Sequence, residues 1–368
     1  MDLAFNDEQI LLRDSLSAFL ADHYDFNARR AAAATMPRWR PEIWSAFATQ
    51  LGILGAALPE EQGGIGGGAL ETMIVMEELG RVLALEPWLE AIVIAPSLLA
   101  GAGEEADALL ETVLSGEAIV IPAIDDGLAG YGRVKGGLKV DAQGRLSGPK
   151  DFVRGASAAT HFLVTAVDAA GETGVYVVPA DAPGLAVEHH ALVSGKSMAN
   201  LTFQDVPSLS LGARDIALAL DRGVAALCAE ALGIQRSLLV ATVDYSKQRK
   251  QFGRPIADFQ VLQHRMADMY IKVEETASMA MMACLFLDEP EDERAKAISA
   301  AKVAVDQASK VVGESAVQIH GGMGITRELP VADMFARLTE IAQELGSTEY
   351  HLRRFENSSA KVDAEAVQ

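Results

Sequence analysis

The residues best equipped for chemistry stand in two short stretches, "YSKQRKQFGRPIADFQ" at 245–260 and "QIHGGMGIT" at 318–326. Arg249 carries a planar fork of donors that matches phosphate oxygens. Phe252 offers an aromatic face, either to a ligand ring or to a core. Gly253 and Pro255 make a turn that hands the chain to the next helical run. Gly321 and Gly322 follow a helical run and let backbone approach a ligand closely. Taken together they suit contact with a small anionic ligand. Taken singly, the cations of 247–254 are a solvated turn and the glycine pair is a helix stop.

Other stretches invite chemistry and do not sustain it. "PEEQGGIGGG" (59–68) is rich in glycine, but no strand precedes it and no GKS/T follows, so it reads as a structural loop and helix entry. Cys228 and Cys284 are the only cysteines, which rules out a disulfide framework or a cysteine metal site. His161, His189 and His190 lack partners at ligand spacing and read as strand residues. The Met-rich run "MADMYIKVEETASMAMMACLFL" reads as core filler and subunit packing.

The elements that must position the two stretches follow from periodicity. From Asp7 to about Leu114 apolar residues recur at three and four, as in "EQILLRDSLSAFL" and "ALETMIVMEELGRVLA". Between about 116 and 212 short Val- and Thr-rich runs are punctuated by Gly, Asp and Pro. They are expected to form antiparallel strands of a small barrel or sandwich. From Ala213 long helical runs return, with lengths that suit a bundle. The expected division is an α-helical domain over 1–115, a β-barrel over 116–212 and a four-helix-type bundle over 213–368.

Composition bounds the function. The chain of 368 residues is 50% hydrophobic and 22% charged, hence globular. A formal charge of -20 excludes a nucleic-acid surface. No uninterrupted apolar stretch of about 18 residues and no basic leader occur, so no membrane span and a cytoplasmic location are expected.

The order helices, β-domain, helical bundle, with the two motifs placed in the bundle, resembles the acyl-CoA dehydrogenase family of flavoproteins. "FNDEQILLRDSLSAFL" is similar to the family's first helix, and "LGILGAALPEEQGGIGGG" to its Pro-Glu-Glu-x-Gly-Gly loop. The resemblance implies FAD as cofactor, an acyl-CoA thioester as substrate, α,β-desaturation with hydride passing to flavin N5, and an external electron acceptor. It implies that Arg249, Gln251, Phe252, Gln260, Gln318, Gly321 and Gly322 reach across a subunit interface to FAD held mainly by a neighbouring chain. It therefore implies an oligomer.

The chain departs from the family where the catalytic base is expected. In the Tyr-Glu-Gly position, "IAQELGSTEYHLRRF" places Leu345 before Gly346. Glu344 is one residue early, a rotation of about 100° on a helix. Where other members carry the base on the first long helix of the bundle, this chain has Gly223 and Val224, with Glu230 further along. Glu230, isolated among apolar residues, is either a carboxylate of raised pKa or one half of a structural ion pair. The catalytic residue is left unassigned, with Glu344 and Glu230 as candidates. In the middle domain "PAIDDGLAGYG" (122–132) lacks the family's flavin-holding loop sequence. "GPKDFVRG" (148–155) puts Phe152 where a ring could be shielded and Arg154 where a small hydroxyl is usual. Arg154 either meets an anionic flavin or substrate carboxylate, or faces solvent or an acidic neighbour.

These departures have a direction. The half-site lent to a neighbour looks intact, and the half-site for the chain's own flavin looks eroded. The pattern resembles the partner subunits of heteromeric acyl-CoA dehydrogenases of the pimeloyl-CoA and steroid side-chain type, which suggests a heterotetramer with a related chain. The alternatives are a self-sufficient homo-oligomer with a relocated base, a flavoprotein of non-oxidative thioester chemistry, and a non-catalytic acyl-CoA-binding scaffold.

Overall fold

The first helix shows how local chemistry sets the elements. Asn6 caps α1 (Asp7–His23): its side chain accepts from the Gln9 amide at 2.9 Å, and Gln9 Oε1 accepts from the Asn6 amide at 3.0 Å. This reciprocal pair satisfies amides that the helix itself leaves open, and Asp7 and Glu8 add negative charge at the positive end of the helix dipole. A computed structural model describes residues 4–124, 137–326 and 328–366, with side chains to 359.

The remaining helices of the N-terminal third are α2 (Phe26–Ala34), α3 (Pro41–Thr49), α4 (Ala69–Arg81), α5 (Ala95–Leu99) and α6 (Glu104–Leu114). A π-helical turn, Leu89–Ile94, runs into α5, and every residue of that turn is buried. The glycine-rich stretch 59–68 is a folded-back loop that leads into α4. Added side chains would strike backbone there: a Cβ on Gly64 would lie 2.1 Å from the Leu58 carbonyl oxygen, and one on Gly67 2.0 Å from that of Ala56. The structural reading of this loop holds.

The middle third is an eight-stranded sheet of β1 (Val120–Ala123), β2 (Lys139–Val140), β3 (Arg145–Arg154), β4 (His161–Val167), β5 (Thr173–Pro179), β6 (Leu185–Ala191), β7 (Ser197–Pro207) and β8 (Leu209–Gly212). The order is β6-β7-β3-β2-β4-β5-β8, with β1 also on β4. The expectation of antiparallel strands needs one correction. β1 and β2 both pair with β4 in parallel, β1 along its first half and β2 at Val167. They lie one after the other on the same edge of β4, so a single flank is filled by two short strands running the same way. His161, His189 and His190 are strand residues, in β4 and β6.

The C-terminal third holds α7 (Ile216–Gln248), a hairpin of β9 (Lys250–Gln251) and β10 (Arg254–Pro255), and then α8 (Gln260–Leu285), α9 (Glu291–His320), α10 (Val331–Ile341) and α11 (Thr348–Ala366). α8, α10 and α11 all pack on α9. By length and composition α7 could cross a membrane, but 72% of its most apolar window is buried, which fits a core helix apolar all round. Cys228 and Cys284, in α7 and α8, are buried, and neither forms a disulfide among the described residues.

The chain divides into two compact units. One comprises residues up to Phe26, Met73–Ala84 and Val224 onward; the other comprises Asn27–Thr72 and Leu85–Gly223. Within the first, α4 and α7 cross at glycines on both sides. A Cβ on Gly80 would lie 2.2 Å from the Glu230 carbonyl oxygen, and one on Gly233 1.9 Å from that of Glu77. The two backbones touch there.

Candidate functional site

The hairpin after α7 is built around a two-residue turn. Phe252 and Gly253 both have positive φ, 51° and 81°, the pattern that matches strand twist in a tight hairpin. Gly253 accepts this at no cost, whereas a left-handed aromatic residue is strained by about 1–3 kcal/mol. The strain places Phe252 at the tip, where it is 92% exposed. Its nearest aromatic neighbour, Phe259, meets it edge-on at 6.1 Å, and the Arg254 guanidinium lies 4.3 Å over the Phe259 ring. At the base of the hairpin the Arg249 amide donates to the Tyr245 carbonyl at 2.8 Å, and the Ile256 amide donates to the Arg249 carbonyl at 2.8 Å. Arg249 is exposed, and its guanidinium has no ion pair among the described residues. The Gln251 side chain donates to the adjacent Lys250 carbonyl at 2.8 Å, and Gln260, first residue of α8, is exposed.

The second stretch ends α9. Gln318 is exposed in the last turn, and Gly321 stops the helix at φ 60°, ψ −135°, a region open to glycine and closed to residues with a Cβ. Space is open beside both glycines, with no heavy atom within 4 Å of a Cβ built on Gly321 or Gly322. Two aromatic rings join this turn to the hairpin. Tyr245 stacks on His320 with centroids 4.4 Å apart, and its hydroxyl donates to the His320 carbonyl at 3.4 Å. The structure thus brings the two motifs to one end of the bundle. The sequence reading missed Tyr245 and His320; both stand inside the quoted motifs, but their pairing across 75 residues leaves no local signal.

This end fits the cofactor implied by the resemblance. It offers an uncommitted guanidinium for phosphate, an exposed ring for stacking and a glycine pair with open backbone. Arg327, just past the glycine turn, lies outside the described residues.

The two candidate bases are elsewhere and are not free. Arg337 of α10 donates Nε to Glu230 Oε1 and Nη2 to Glu230 Oε2, each at 2.7 Å. Its Nη1 donates to Glu344 Oε2, also at 2.7 Å, with Glu340 at 3.5 Å. Glu230, Glu344 and Arg337 are all buried, at 3%, 4% and 1% exposure. Burial opposes the charge on Arg337, yet the adjacent Glu230 and Glu344 hold its pKa well above the ordinary range. This is the ion-pair alternative for Glu230, realised with a bidentate fork. Leu345 has φ 52°, and its carbonyl accepts from His351 Nε2 at 2.9 Å. A second buried pair, Lys302 with Asp306 at 2.8 Å, ties α9 to the Ile341 carbonyl.

In the sheet, Phe152 sits on a bulge of β3 at φ 58°, half exposed, with its amide donating to Asn200 Oδ1 at 3.2 Å. Arg154 is half-buried at the end of β3. Lys150 is buried and donates to the Thr165 hydroxyl at 2.9 Å and the Ile124 carbonyl at 3.1 Å. Residues 125–132 of the "PAIDDGLAGYG" segment lie outside the described residues. A groove of about 650 Å³ lies among α1, α4, α7 and α8, lined by Arg13, Arg81, Arg236 and Tyr270. Asp14 engages Arg13, Glu78 engages Arg81 and Glu77 engages Arg236, so all three of these guanidinium groups are already committed.

Comparison with known proteins agrees with this architecture. The acyl-CoA dehydrogenase N-terminal domain matches residues 6–117, and the C-terminal domain matches residues 211–358. Acyl-CoA dehydrogenase IpdE2 of Mycobacterium tuberculosis is 30% identical over 353 residues, covering 95% of this chain and 97% of its own. Among solved structures, a Tcur3481–Tcur3483 steroid ACAD variant is 32% identical with a TM-score of 0.89, covering 97% of this chain and 99% of that one. The ChsE4–ChsE5 complex from Mycobacterium tuberculosis is 28% identical with a TM-score of 0.88, covering 98% and 99%.

Proposed function

The chain belongs to the acyl-CoA dehydrogenase family, and from this premise we propose that it is one subunit of a heteromeric, FAD-dependent acyl-CoA dehydrogenase. It lends cofactor contacts to a related chain and supplies no catalytic base of its own. When bound, FAD supplies the acceptor for the β-hydride during α,β-desaturation of an acyl-CoA thioester, and a separate electron acceptor reoxidises it. Arg249 would neutralise phosphate charge, Phe252 would stack on a ring, and the backbone at Gly321 and Gly322 would close on the ligand, with Gln251, Gln260 and Gln318 donating or accepting around them. The α-proton is taken by a carboxylate of the partner chain, because Leu345 offers only apolar contact.

The contrast between the exposed motif residues and the buried carboxylates carries this reading. Arg249 and Phe252 stand exposed, while Glu230 and Glu344 are both committed to Arg337. The substrate class we propose is a steroid side-chain acyl-CoA, supported by likeness to the steroid ACAD. The likeness to a ChsE4–ChsE5 complex supports a heteromeric assembly, for which the stoichiometry we propose is a heterotetramer. Division into domains at 1–115, 116–212 and 213–368 and a cytoplasmic location complete the proposal.

The test is the visible spectrum of the chain purified alone, with FAD released by denaturation and counted per chain. Little or no FAD is expected, with content restored by co-expression of a related chain that carries its own glutamate. About one FAD per isolated chain would overturn the lending role.

A further inference from the structure

We propose that Tyr245 is a positioning residue: stacked on His320, it keeps the Phe252 hairpin and the Gly321–Gly322 turn in one register, so that both meet the cofactor as a single surface. The inference rests on the reading of this bundle end as a cofactor contact.

Each motif is fixed to its own helix, and the ring pair bridges them directly. On one side, the Tyr245 carbonyl accepts from the Arg249 amide at 2.8 Å, and the Arg249 carbonyl accepts from Ile256 at 2.8 Å, so Tyr245 is bonded to the base of the hairpin. The next residue, Ser246, reaches Met266 Sδ of α8 at 3.5 Å. On the other side, His320 is the last residue of α9 and immediately precedes Gly321. Its Nδ1 lies 2.8 Å from the Ala316 carbonyl. A carbonyl only accepts, so Nδ1 carries a proton and the ring plane is set by its own helix. The fixed ring presents a face to Tyr245 at 4.4 Å and 28°, a geometry typical of aromatic stacking. Among the described residues no heavy atom lies within 4 Å of a Cβ built on Gly321 or Gly322, whereas one on Gly324 would stand 2.8 Å from the Val317 carbonyl oxygen and 3.0 Å from the His320 Cβ, so the turn is seated on the last turn of α9, where His320 stands. A displacement of about 1 Å in a ligand contact is enough to matter.

The experiment compares Tyr245→Leu, Tyr245→Phe and Arg249→Ala by amide hydrogen exchange and by FAD affinity in the co-expressed assembly. Tyr245→Leu, which removes the ring, is expected to speed exchange about tenfold in both 250–256 and 321–325 and to weaken FAD binding about tenfold. Tyr245→Phe keeps the stack and should restore both readouts to within about twofold of the parent. Unchanged exchange at 321–325 in Tyr245→Leu overturns the proposal, as does faster exchange there with FAD affinity intact while Arg249→Ala weakens it. Arg249→Ala should weaken FAD binding without altering exchange at 321–325. If it leaves FAD affinity untouched, the cofactor-contact reading fails, and the exchange data still decide whether the ring pair couples the two segments.

Discussion

Removing the Arg337 guanidinium would leave Glu230 and Glu344 as buried charges without their shared cation. Arg337→Met is expected to cost about 3–5 kcal/mol in urea unfolding, because an uncompensated buried charge is far worse than a lost contact. Glu230→Gln and Glu344→Gln, measured in the assembled enzyme, should lower stability and leave kcat within about threefold. A fall of about 10²–10⁴ in either would mark that carboxylate as the general base and refute its structural assignment. His320 gives a pH prediction. Burial lowers its pKa against the opposing hydrogen bond to Ala316, so below an ordinary histidine value of about 6.5 the unfolded chain takes up the proton first. Stability is therefore complete above that pH and is lost as pH falls through the lowered value. His161 and His189, also lowered by burial, act in the same direction, and the difference between parent and His320→Gln in acid unfolding isolates this residue. At this scale the sequence was half legible. Glu230 stood out as a lone carboxylate in an apolar run, but its partner lies 107 residues away on another helix. Nothing local distinguishes a poised base from a paired one.

Elements were far more legible than residues. Strand positions in the middle third followed in the main from alternation and turn chemistry: β1, β4, β5 and β6 each lie inside one short Val- and Thr-rich run, whereas β3 continues to Arg154 beyond its run and β8 was not anticipated. The parallel run of β1 and β2 along β4 did not follow, because pairing partners depend on the return path of the chain rather than on any one segment. Helix–helix closeness was equally hidden. Gly80 and Gly233 occupy helix interiors, where replacement by Ala ordinarily stabilises by about 1 kcal/mol. Here each new Cβ would meet a carbonyl oxygen of the opposing helix, at 2.2 and 1.9 Å. Overpacking of this kind costs about 1–3 kcal/mol. Gly80→Ala and Gly233→Ala are therefore expected to lower the urea midpoint with the slope unchanged; a rise would show that α4 and α7 separate without penalty.

For the whole molecule, composition bounded the possibilities and the motif order supplied the family, but a single chain does not specify its own assembly. A formal charge of -20 has a consequence for self-association. Two copies repel, with a screening length of about 30 Å at 0.01 M salt and about 8 Å at 0.15 M. Any homo-oligomer of the isolated chain should therefore tighten as salt rises, measured by sedimentation velocity; loss of the larger species with added salt would point instead to attractive charge pairing between copies. The Phe252 tip offers a way to watch assembly in real time. The native tryptophans are Trp39, Trp44 and Trp88, and none is exposed. Phe252→Trp would add a solvent-facing indole on a rigid hairpin, with red-shifted emission that moves to the blue, or is quenched by an adjacent flavin, once the tip is covered. Stopped-flow fluorescence would then time the docking of one chain on another without any substrate.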